Sequence, residues 1–171
     1  LALGAAARGH ARSATCLSPA GFWAAPWQYP YAKAVFRAMQ SSGPLKAYLP
    51  TLARSAFGRG VINAAIVAHP SRMTAEQAIG DAQSFFRAKD AVDAVLAERL
   101  EFTESAAIPA DVPVTIAWGE KDRLLPPSQA RVAKRHLPDA TFILLRDCGH
   151  VPMTDDPKAV AKILLDGSAK N

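Results

Sequence analysis

Two side chains able to do acid–base chemistry, Asp122 and His150, stand 28 positions apart in the segments Trp118-Gly-Glu-Lys-Asp122 and Asp147-Cys-Gly-His150-Val-Pro-Met153. An ionised Asp accepting the imidazole Nδ1–H fixes the tautomer, stabilises the imidazolium that forms, and leaves Nε2 free to take a proton from a nucleophile. The residue types therefore fit the acid and base of a hydrolytic triad. No Gly-x-Ser-x-Gly turn, the usual carrier of the third member, occurs anywhere in the 171 residues.

The spacing is meaningful only if local structure brings the pair together. Val112-Pro-Val-Thr-Ile-Ala-Trp118 is a short apolar, partly β-branched run of the kind that forms a strand buried on both faces. Gly119 breaks it, so Asp122 falls on the loop beyond the carboxyl end of that strand, where open α/β sheets build their sites. Residues 126–137 follow a helical pattern that opens on Pro126-Pro127 and ends in basic residues. Ala140-Thr-Phe-Ile-Leu-Leu145 then reads as a second buried strand, and Arg146 to His150 as the loop leaving it. Strand, helix and parallel strand make one right-handed crossover unit, which places Asp122 and His150 on the same edge of the sheet.

These segments resemble the end of the α/β-hydrolase fold, whose triad runs in the order nucleophile, acid, histidine. Trp118 to Asp122 is similar to the segment after the seventh strand, and Gly149-His150-Val-Pro-Met153 to the histidine loop after the eighth. Asp156-Pro157 with residues 158–165 is similar to the closing helix. The resemblance extends backward: Leu1 to Ala7 looks like the rest of the helix that begins at the nucleophile, with Gly9 as its left-handed cap. Ser13 to Leu17 looks like the sixth strand. It implies a partial α/β fold with parallel strands six to eight, residues 1–21 and 108–171 forming the C-terminal part of the core and residues 22–107 a helical cap. On that alignment the nucleophile (Ser, Asp or Cys) and the oxyanion donors lie before Leu1.

The stretch between Phe22 and Ala107 is helical in pattern. Tyr31 to Gln40 and Tyr48 to Phe57 read as short helices, Val61 to Ala68 is an apolar run stopped by His69-Pro70, and Thr74-Ala-Glu-Gln77 is a capping box opening a helix to about residue 87 or 89. Ala91 to Leu100 continues that helix or makes another. Caps of this family shape the substrate pocket, and the aromatic residues concentrate here, which implies an apolar small-molecule substrate. Phe22 and Trp23, just past a strand's carboxyl end, are the expected substrate contacts; most of the other aromatics read as core.

Composition narrows the partners. Half the residues are hydrophobic and a fifth charged, ordinary for a globular chain. The net charge of +5 is spread over scattered Lys and Arg, so no nucleic-acid partner is expected. No segment has the length and purity of a membrane span, and no membrane partner is expected either. Cys16 and Cys148, on or after non-adjacent strands, read as small buried thiols of a cytoplasmic protein rather than a disulfide. A Cys148–His150 nucleophile pair fits poorly, because positions so close in the chain do not readily bring thiol and imidazole together. His10, His69 and His136 read as exposed or helix-end residues. No His, Cys, Asp and Glu spacing matches a metal site, and no cofactor is implied. Neither Ser18, followed by Pro19, nor Ser128, at a helix start, fits a nucleophile.

Two classes of function follow. One is a hydrolase, serine-type by expectation, acting on an ester or a related acyl, carbon–carbon or epoxide bond of an apolar substrate, present as a fragment lacking nucleophile and oxyanion hole and hence inactive alone. The alternative is a non-catalytic module of the same fold that binds a ligand or partner. Retention of both Asp122 and His150 favours the first.

Overall fold

The computed structural model describes residues 1–41, 43–97 and 99–169. Its centre is a three-stranded parallel sheet in the order β1 (Ala14–Leu17), β2 (Val114–Gly119), β3 (Thr141–Leu145). Cys16 pairs with Ile116, and Ile116 in turn with Phe142. Every residue of β2 is buried, as expected of a strand flanked by partners and covered on both faces. Period-two alternation sends Val114, Ile116 and Trp118 to one face, into a core shared with Leu3 and Ala6 of α1 (Ala2–Ala7) and Ala133 of α7 (Ser128–His136). Ala117 points the other way, into a second core with Val160 and Ile163 of α9 (Pro157–Ser168).

The α1 helix stops as its sequence implies. Gly9 has φ +71°, its N–H donates to Ala6 O and that of His10 to Ala5 O, the paired bonds of a Schellman ending. The connection from β2 to β3 is α7 alone. That from β1 to β2 is long and helical: α2 (Gln28–Ser41), a 3-10 turn (Gly43–Tyr48), α3 (Leu49–Ala53), α4 (Ala56–Asn63), α5 (Ala75–Arg87) and α6 (Lys89–Ala97). The Thr74 capping box is complete, with Gln77 N–H on Thr74 Oγ1 at 3.1 Å and Thr74 N–H on Gln77 Oε1 at 2.9 Å.

The single helix expected over Tyr48 to Phe57 is instead two. Ser55 leaves the helical conformation and caps α4 by accepting Gly58 N–H at 2.9 Å. Gly58 allows the corner to be this tight, since a Cβ there would lie 1.8 Å from Leu52 O. The apolar run over 61–68 splits likewise, its first half in α4 and its second in an irregular turn. Cys16 and Cys148 are buried free thiols.

Candidate active site

Asp122 sits on the loop after β2, its side chain wholly buried. Its Oδ1 accepts the N–H groups of Leu124 (3.0 Å) and Leu125 (2.7 Å), which fixes the carboxylate plane. The other oxygen, Oδ2, lies 2.9 Å from His150 Nδ1. Against an ionised carboxylate, an acceptor only, the imidazole presents Nδ1–H. Its Nε2 is then the acceptor available to a reacting group. The His150 side chain keeps about a fifth of its surface exposed (22%), so it is reachable where Asp122 is not.

The loops carrying the pair interlock through two glycines. Lys121 N–H donates to Cys148 O at 2.9 Å and Glu120 N–H to Leu145 O at 2.9 Å, so the loop after β2 continues the sheet pairing into the loop after β3. A Cβ on Gly119 would come within 2.2 Å of Gly149 O, and one on Gly149 within 2.7 Å of Ala68 N. Neither position has room for a side chain.

The histidine loop is also fastened to the long helical segment. Asp155, in the short helix α8 (Pro152–Asp155), accepts three backbone N–H groups, from Ala68 (3.0 Å), His69 (2.9 Å) and Gly149 (2.8 Å). Val151 N–H donates to Ile66 O at 2.8 Å. His69, expected as a helix-end residue, places Nε2 2.7 Å from Asp147 Oδ2, and Lys121 pairs with the same carboxylate. The hydrogen bond from Lys121, then that from His69, holds the Asp147 carboxyl below its usual range. Asp147 has φ +61°, a left-handed conformation that Asp adopts more readily than most non-glycine residues. Sequence reasoning missed Asp155 and the His69–Asp147 pair, because only the fold brings residues from 68–69 and 147–155 together.

A cavity of about 290 Å³ opens beside His150, lined by Ser18, Trp23, Phe36, Leu124, Leu125 and others. Of the two expected substrate contacts, Trp23 lines it and Phe22 does not. Phe22 is 1% exposed and belongs to the core, packed on Phe102 (5.6 Å between centroids) and edge-on to His136 (6.0 Å). The chain turns at Gly21 (φ +110°), just before Phe22 and Trp23. Phe36, from α2, one of the aromatics whose pattern reads more readily as core, also lines the cavity.

Ser18 also lines the cavity but is 2% exposed, and its Oγ accepts Gly119 N–H at 3.2 Å. That bond ties the ends of β1 and β2 together. Burial, followed by the charges of Asp155, Asp156 and Asp147, pushes the Cys148 thiol up to about 11. Such a thiol is a poor nucleophile at neutral pH. Among the described residues no group of three or more His, Cys, Asp or Glu side chains is placed to hold a metal ion, and no helix is long and apolar enough to cross a membrane.

Residues 1–163, including both loops and the intervening helices, match the model of the alpha/beta hydrolase family. The chain belongs to the alpha/beta hydrolase family. Among curated relatives, this α/β-hydrolase is similar to Lipase 3 of Moraxella sp. (strain TA144), 35% identical over 63 residues covering 35% of this chain and 20% of the lipase. It is also similar to Lipase 1 of Psychrobacter immobilis, 36% identical over 44 residues, 26% of this chain and 14% of that one. Among solved structures it shares its fold with a bacterial membrane phospholipase A (TM-score 0.63, 21% identity, 98% of this chain and 53% of that one). A second is MGS-M2, an α/β-hydrolase enzyme from a deep-sea metagenome library (TM-score 0.66, 19% identity, 99% and 61%). The α/β-hydrolase chain thus spans little more than half the length of these structures.

Proposed function

We propose that this α/β-hydrolase chain supplies the acid and the general base of a serine-type hydrolase acting on a carboxylic ester with an apolar acyl group. Asp122 is the acid that orients and stabilises the imidazole, and His150 is the base that takes the nucleophile's proton and returns it to the leaving alcohol. The observation that carries this reading is the 2.9 Å contact between His150 Nδ1 and the buried Asp122 Oδ2, which leaves Nε2 beside a largely apolar cavity. Trp23 and Phe36 are the proposed substrate contacts, and the helical segment over 22–107 acts as the cap above the site. The nucleophile and oxyanion donors come from polypeptide outside these 171 residues, and the cytoplasm is the proposed compartment. The similarity to two lipases supports an acyl ester as the substrate class.

A ligand-binding module would have no chemical use for a carboxylate buried against an imidazole. The test is ester hydrolysis by the whole protein. His150→Ala is expected to lower kcat by about a millionfold. Turnover that survives this substitution within tenfold contradicts the assignment.

A further inference from the structure

A second cavity, of about 360 Å³, lies within the helical segment and shares α2 as a wall with the His150 cavity. Ala32 and Phe36 face the His150 cavity, whereas Val35, Ala38 and Met39 face this one. The wall between them includes Phe36 and Phe85, whose rings stack at 5.9 Å and 18°. Apart from Asn63 and Asp81 the lining is aliphatic and aromatic.

The rim of this cavity is unusual in two ways. Phe57 and Val61, one turn apart on the same face of α4, are 82% and 63% exposed, and Tyr48 just before α3 is 62% exposed. Val61 also lines the cavity. Charge on this stretch is one-sided as well. Residues 46–63 contain Lys46, Arg54 and Arg59 and no Asp or Glu, while α5 across the cavity brings the acids Glu76 and Asp81. Beside the exposed apolar side chains stand Arg54, exposed, and Lys46, whose Nζ lies 4.4 Å from the Phe86 ring centroid at the cavity wall. Asp81, on α5, is the acid that lines the cavity, and Arg59 is not available, since its guanidinium donates to Ala53 O and Ser71 O.

We propose that the α3–α4 face docks on an anionic lipid surface, with Phe57 and Val61 entering the acyl boundary, Arg54 and Lys46 at the phosphates, and one lipid alkyl chain seated in the 360 Å³ cavity. Exposed aromatic and aliphatic side chains flanked by cations are what an interface of phosphate over hydrocarbon rewards, because each layer meets its own chemistry. A nucleic acid would meet the cations but would bring nothing to the apolar cavity. The lack of a membrane-spanning pattern in the sequence implies no membrane partner, but a peripheral face needs no span. This proposal is independent of whether Asp122 and His150 catalyse ester hydrolysis.

The test is density-gradient flotation of the full chain with vesicles of phosphatidylcholine alone or mixed with phosphatidylglycerol, since aggregated protein does not float. The chain is expected to float with the anionic vesicles at low salt and not with the neutral ones. Arg54→Gln should weaken this about fivefold, one surface cation's worth. Phe57→Ser with Val61→Ser, both at exposed positions, should weaken it about a hundredfold or more, at the transfer cost of two apolar side chains. Ala38→Phe, exposed at the cavity mouth, should weaken it by blocking the alkyl chain. No flotation, or equal flotation with neutral vesicles, overturns the proposal. Flotation unchanged by the Phe57 and Val61 pair overturns the assigned face, and flotation unchanged by Ala38→Phe overturns the chain seat.

Discussion

At the scale of single residues, the site divides its work between an oxygen that is held and an oxygen that acts. Two backbone amides occupy Asp122 Oδ1, so Oδ2 alone meets His150. Asp122→Asn keeps the shape but offers an NH₂ or a neutral oxygen to the imidazole, favouring the wrong tautomer. It is expected to lower kcat of the whole protein about 10⁴-fold with KM little changed, measured by steady-state ester hydrolysis. Cys148 gives a prediction in pH. Its thiol is raised from 9.0 to about 11 in the folded chain, so the folded state holds the proton more tightly than the unfolded one. Its contribution to stability is complete below pH 9, falls as pH rises through that window, and is gone above about 11. Denaturant melts from pH 8 to 11 should lose stability more steeply than those of Cys148→Ala, and iodoacetamide should leave native Cys148 unmodified at neutral pH.

At the scale of elements, the loop carrying His150 is held from both sides, by the loop after β2 and by residues 66–69. Asp155 is the fastening with the most bonds, three backbone donors to one carboxylate. Asp155→Ala should destabilise the chain by about 3 kcal/mol, through partly buried N–H groups left without acceptors, and Asp155→Asn by less; chemical denaturation measures both. Gly119→Ala should cost a similar amount, because the added Cβ meets backbone rather than a movable side chain. The strands, α7 and the pairing of Asp122 with His150 were legible because each rests on a local signal: an apolar run, a breaking glycine, a proline at a helix entry. The capping box at Thr74 was legible for the same reason. The corner at Ser55, the burial of Phe22 and the role of Asp155 were not. Each depends on what the neighbouring element presents: Leu52 against Gly58, Phe102 and His136 around Phe22, and the amides of 68, 69 and 149 around Asp155.

At the scale of the whole molecule, three parallel strands make a sheet whose middle strand is buried throughout. Among the described residues β1 pairs with β2 alone. The chain spans 53% and 61% of the two solved structures that share its fold. The proposed division of labour places the acid and base here and the nucleophile elsewhere. Fluorophosphonate labelling read by intact mass tests it most directly, since the reagent reacts far faster with a serine activated by a working base than with an ordinary one. The 171-residue chain should take no label, and the whole protein should take one, on a serine outside these residues, at a rate that His150→Ala lowers by at least about a thousandfold. A label on Ser18 or Ser128, or labelling of the whole protein that His150→Ala leaves unchanged, would contradict the account.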